Sequence, residues 1–157
     1  MDNYNHVIIH AARLGNTEVL KELIAQQTDV NARDEKGYTP LIIACYNNHH
    51  DAAKYLLESG ADVNAQDFGG NTALMGVSFK GYTNIAELLI HNGADLNLQH
   101  GNGGTALMFA AMFGRNEIVK LLLNHGADKT IVDVRGLSVL DLAAQQGNED
   151  AIAILEQ

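Results

Sequence analysis

Cys45 is the single thiol in the chain, and a thiol invites nucleophilic or redox chemistry. Reactivity needs an exposed, electropositive setting. The residues standing one repeat period away from it, as set out below, are Ala12, Ser78, Ala111 and Ala144, so the place calls for a small packed side chain. A lone cysteine makes no internal disulfide, which fits a reducing compartment. Seven histidines raise the question of a metal, above all His6 and His10 at i, i+4 and the pair His49 and His50. Zinc requires three or four converging ligands. His91, His100 and His125 fall at scattered repeat positions and are expected on surfaces facing different ways. Asp29, Asp62, Asp95 and Asp128 could suggest carboxylate catalysis, but paired catalytic carboxylates face one another across a substrate. These four lie one period apart, each beside a helix end, which reads as scaffold. Gly69-Gly70 and Gly101-Asn102-Gly103-Gly104 resemble a phosphate loop without its following lysine. No catalytic residue, metal site or cofactor is assigned, and the chain is not expected to be an enzyme.

The elements that would carry these residues are fixed by an interval of 33. Thr39, Thr72, Thr105 and Ser138 recur at that spacing, each two residues after Gly37, Gly70, Gly103 or Gly136 and two before a leucine. Gly60, Gly93 and Gly126 keep the same interval and open Gly-Ala-Asp triplets. A period near 33 with helix-pair phrasing marks a stacked repeat array. Repeat position n is residue n in the first unit, and n plus successive multiples of 33 thereafter. The hydroxyl at position 6 predicts an N-cap, with Pro40 at the first helical place of one unit. A short apolar helix follows and ends at position 15 on Gly15, Gly81, Gly114 and Gly147, with Asn48 standing in. A second helix carries apolar residues at positions 19, 20, 23 and 24, as in Ile118, Val119, Leu122 and Leu123. Each unit is expected to be two short antiparallel helices and a turn.

The phrases Asp34-Glu35-Lys36-Gly37-Tyr38-Thr39-Pro40-Leu41 and Gly60-Ala61-Asp62-Val63-Asn64-Ala65 closely resemble the ankyrin repeat, over essentially the whole chain. The resemblance implies an all-α solenoid of helix-turn-helix units joined by short β-hairpin-like loops. Residues 1–157 then form one domain, with repeats at about 1–33, 34–66, 67–99, 100–132 and 133–157. The chain departs from the family pattern at position 9, where Ile42, Met75, Met108 and Asp141 replace its histidine and that residue's bond to the Thr. The first unit has Gln27-Thr28 in place of Gly-Ala. Glu22 and His10 in the first unit, and Glu156 in the last, replace residues that are mostly apolar elsewhere. Terminal units hide one face rather than two, so the expectation is a five-unit array with a cap at each end.

Bulk properties exclude several classes. A net charge of −9 argues against nucleic acid. No apolar run approaches a membrane span, and Met-Asp-Asn-Tyr-Asn-His has neither the basic nor the apolar region of a secretory signal. A cytoplasmic monomer is expected, acting by contact with another protein. In arrays of the resembled kind the binding residues lie at hairpin tips and on the first helices. Those places give Arg13, Arg33, Lys36, Tyr38, Tyr46, Asn47, Phe68, Asn71, Phe79, Lys80, Asn102, Met112 and Phe113. Tyr46, Phe79 and Met112, all at position 13, form the expected centre, walled by Tyr38 and Phe68. Aromatic and Met stripes are what interface centres use, although Phe113 also fits burial against the following repeat. Tyr55 and Phe109 are read as core. Five basic residues (Arg13, Arg33, Lys36, Lys80, Arg135) and two acidic ones (Asp2, Glu35) give the mapped positions a net +3. The expected function is a non-catalytic interaction module using its concave first-helix and hairpin-tip surface. The alternative is a regulatory or inhibitory subunit that binds and blocks one enzyme.

Overall fold

The computed structural model describes residues 4–157, and Asp2 lies outside them. Among the described residues ten helices follow one another as pairs. They are α1 (Asn5–Leu14) and α2 (Thr17–Ala25), α3 (Pro40–Tyr46) and α4 (His50–Glu58), and α5 (Ala73–Lys80) and α6 (Thr83–His91). Then come α7 (Ala106–Met112) and α8 (Asn116–Asn124), and finally α9 (Val139–Gln145) and α10 (Glu149–Leu155). None is long and apolar enough to cross a membrane.

The period-33 hydroxyls start the helices as expected. Thr39, Thr72, Thr105 and Ser138 are N-caps whose Oγ atoms accept from the backbone N–H of Ile42, Met75, Met108 and Asp141 at 3.1–3.3 Å. The bond lost with the family histidine returns in the last unit by other means. There Asp141 Oδ2 accepts from the Ser138 backbone N–H at 2.9 Å and from its hydroxyl at 3.1 Å.

Odd-numbered helices pack on one another along the array more extensively than even-numbered ones do. Between them lies a continuous apolar core that includes Leu20, Leu41, Leu56, Leu74, Leu89, Leu107 and Leu122, all essentially inaccessible. Cys45 is buried in it, and burial pushes its thiol well above the ordinary range, so it stays protonated and inert.

Two ladders tie unit to unit. In the first, Asp29, Asp62, Asp95 and Asp128 each accept from the backbone N–H two residues on. Asn31, Asn64 and Asn97 in turn accept from the N–H of Asp62, Asp95 and Asp128 at 2.7–2.8 Å. In the second, the position-33 side chain donates forward twice. Arg33 Nη1 reaches the Gly37 and Gln66 carbonyls, Gln66 those of Gly70 and Gln99, and Gln99 those of Gly103 and Val132. The hairpins stack closely enough that a Cβ on Gly37, Gly70 or Gly103 would sit under 3 Å from the next hairpin.

Terminal irregularities are visible. Gln27 adopts a φ of 68° where Gly60, Gly93 and Gly126 stand in later units. Thr28, in place of Ala61, Ala94 and Ala127, is buried with its hydroxyl unpartnered.

Candidate protein-binding surface

Position 13 lies on the exposed side of the odd-numbered helices. Tyr46 and Phe79 stand there with rings parallel to within 1° and centroids 6.4 Å apart. The row continues through Phe113, edge-on to Phe79 at 4.6 Å. Phe113 therefore packs on the preceding repeat and stays 43% exposed. Lys80 holds its ammonium 4.7 Å from the Tyr46 ring centroid, a cation–π contact within the row.

Beneath the row lies an apolar cavity of about 330 Å³, bounded by Tyr38, Ile42, Ile43, Tyr46, Met75, Phe79 and Phe109, with Gly76 at its floor. Position 10 is His10 in the first unit and Ile43, Phe109 and Leu142 in the other later ones, and glycine leaves the room those side chains fill. Phe109 is half-buried and also borders a second cavity with Met108, Met112, His100, Asn102 and Leu142. It belongs to this surface as much as to the core, correcting the reading of its position. Met112 accordingly faces the second cavity, while Tyr46 and Phe79 bound the first.

Other expected contact residues have structural work. Arg33 is the first rung of the hairpin ladder. Asn47 donates to the Ile43 carbonyl at 2.8 Å, closing the end of α3. Asn71 donates to both Asp67 carboxylate oxygens at 3.2 Å beside the first cavity. Phe68 is 73% exposed but lies across Gly37 on the preceding hairpin, not along the wall of the row. Lys36 and Asn102 sit exposed at hairpin tips, their carbonyls accepting from Phe68 and Val134 N–H. Arg13 is exposed on the last turn of α1, its carbonyl 2.9 Å from His49 Nε2.

The titratable residues are arranged as hairpin parts. Asp34, Asp67 and Asp133 each accept from the backbone N–H two and four residues on. The Leu137 N–H, with Arg135 assisting, holds the Asp133 carboxyl below its ordinary range. His100 occupies that place in the fourth unit and packs on Phe109 at 5.1 Å. His91 and His125 do not face different ways as expected, but meet edge-on at 6.3 Å. Among the described residues, no three His, Cys, Asp or Glu side chains converge as metal ligands.

With this geometry in place, comparison with known proteins defines the class. The sequence matches the family described as Ankyrin repeats (3 copies) over residues 8–100 and 74–157. The chain belongs to the ankyrin-repeat family, whose repeats are protein-interaction modules. Protein phosphatase 1 regulatory subunit 27 of Homo sapiens and its counterpart of Mus musculus are each 46% identical over 48 residues. That stretch is 30% of this chain and 31% of each relative, so the match spans under a third of their length.

The sequence signal that could have located the cavity was present. Gly76 interrupts an otherwise bulky row at position 10, and a missing side chain between two aromatic residues leaves a hole.

Proposed function

We propose that this chain is a non-catalytic module that binds a partner protein through the odd-helix and hairpin-tip face, acting as a cytoplasmic monomer. One observation carries the reading: an aromatic row, Tyr46–Phe79–Phe113, exposed at Tyr46 and Phe113, stands over an apolar cavity on that face. Rigid aromatic side chains beside a pocket are how interface centres concentrate binding energy, and truncating one typically costs about 2 kcal/mol or more. Tyr46→Ala with Phe79→Ala should abolish partner capture while leaving helicity and melting temperature nearly unchanged. Lys54→Ala with Lys120→Ala, on α4 and α8, is the control and should leave capture intact. The reverse pattern would place binding on the even-helix face and sink the proposal.

A regulatory or inhibitory subunit is the second reading. It is favoured by the 48-residue match to relatives named as regulatory subunits of protein phosphatase 1. Its test is the activity of the protein phosphatase 1 catalytic subunit titrated with this protein. No change in rate and no complex by gel filtration would set that reading aside.

A further inference from the structure

The binding face differs from the rest of the molecule in charge as well as in apolarity. None of α1, α3, α5 and α7 carries an Asp or Glu, whereas α1 and α5 have Arg13 and Lys80 in their last turns. The carboxylates lie on the even helices, as with Glu18 and Glu22 on α2, Asp51 and Glu58 on α4, Glu87 on α6 and Glu117 on α8, and as often on the hairpins and turns, with Asp141 on α9. These four odd helices therefore carry a net positive charge, from Arg13 and Lys80, in a chain whose net charge is −9. Beside the cavity, Lys80 places its ammonium 4.7 Å from the ring centroid of Tyr46, one of the cavity's walls. Asp67 is the one carboxylate bordering the cavity, and its Oδ1 is turned to the Gly69 and Asn71 N–H groups of its own hairpin.

The shape of the vacancy is equally specific. Ile43 and Phe109 occupy the flanking repeats at the position where Gly76 has nothing. The hole thus has the depth of a large apolar side chain. A Cβ on Gly76 would reach to 3.2 Å from Tyr46 Cδ1, so even one carbon begins to fill it.

We propose that the cavity over Gly76 receives a large apolar side chain from a segment of the partner protein whose neighbouring residues are acidic. This rests on the interaction reading above and specifies the chemistry of its partner. Apolar walls supply the energy of burial, and Lys80 and Arg13 favour carboxylates beside the anchor while opposing a basic segment. Association of two copies is opposed at longer range, because each whole molecule carries −9.

The test uses a displayed library of random peptides panned on the whole protein. Selected peptides should pair Leu, Phe or Trp with Asp or Glu close by. A synthesised winner should bind more weakly as salt rises, because exposed charge pairs are screened. Replacing its apolar anchor by Ala should weaken binding roughly tenfold or more, as for a buried interface anchor. Gly76→Leu, with folding checked by circular dichroism, should weaken it comparably by filling the hole. Lys80→Gln should remove part of the salt dependence. Winners without acidic residues, or full affinity for Gly76→Leu, would overturn this inference. Their loss on Tyr46→Ala with Phe79→Ala would in that case leave the interaction reading standing. Winners indifferent to the aromatic pair would refute both. A concentration-dependent dimer dissolved by Phe79→Ala would assign the cavity to a second copy and overturn the acidic-segment proposal. So would a library that yields no winner.

Discussion

Ser78 is fully buried in α5 with its hydroxyl unpartnered, at a position where Ala12, Ala111 and Ala144 stand in other repeats. An unsatisfied buried hydroxyl costs roughly 1–3 kcal/mol, and alanine removes it while keeping the small volume. Ser78→Ala should raise the urea midpoint, by about 1 kcal/mol of stability; a lower midpoint would show that the hydroxyl has a partner. Asp133 makes a pH prediction of definite sign. Backbone N–H groups of Leu137 and Arg135 and the Arg135 guanidinium favour its charged form, and its folded pKa lies below the ordinary value. Its contribution is therefore complete above the unfolded value, about 3.9, and is lost as pH falls through the folded pKa. Asp133→Asn should flatten the fall of the denaturation midpoint below about pH 4. An unchanged slope would mean that Asp133 does not contribute. Asp128, held down chiefly by the Thr130 hydroxyl, is shifted in the same direction.

At the scale of elements, α5 is where propensity and function pull apart. Glycine within a helix costs about 0.5–1 kcal/mol relative to alanine, so Gly76 weakens the helix that carries the cavity floor. The sequence suggests that Gly76→Ala stabilises the fold if a methyl fits. The structure gives the terms: the methyl would lie 3.2 Å from Tyr46 Cδ1, and Tyr46, 42% exposed, can yield a few tenths of an ångström. Gly76→Ala should raise the melting temperature by less than the full helix gain of about 1 kcal/mol. A fall would mean that the Tyr46 ring cannot shift and that glycine serves close packing. Arg33, Gln66 and Gln99 belong to the same scale. Their side chains knit adjacent hairpins, which removes Arg33 from the free basic residues of the face.

Over the whole molecule, each repeat packs only on its neighbours, so stability is a sum of unit and interface terms. Terminal units have one interface, and the first adds the strained backbone of Gln27 and the buried Thr28 hydroxyl. Amide exchange should be fastest in α1–α2 and α9–α10 and slowest in α5 and α7, since local opening follows local burial. Uniform protection along the chain would instead show a single cooperative unit. Charge is also organised at this scale, with no carboxylate on α1, α3, α5 or α7, the helices that carry Arg13 and Lys80.

Composition and periodicity alone determined the helix pairs, their caps and the ladder aspartates, because these depend on contacts within a unit or between residues one period apart. Thr39 caps α3 through a residue three places on, and Asp62 meets Asn31 at a fixed register. They also placed Tyr46 beside Phe79 at position 13, but the third ring of the row is Phe113 at position 14, while Met112 faces the second cavity. What they could not give is the direction of each long side chain between repeats. Phe113 turns back to Phe79, Phe68 folds across Gly37, Lys80 settles on Tyr46 and His91 meets His125. Phe109, packed against the core, also borders two cavities. Those outcomes depend on which rotamer the neighbouring unit leaves free, a competition of packing that a one-dimensional register does not contain.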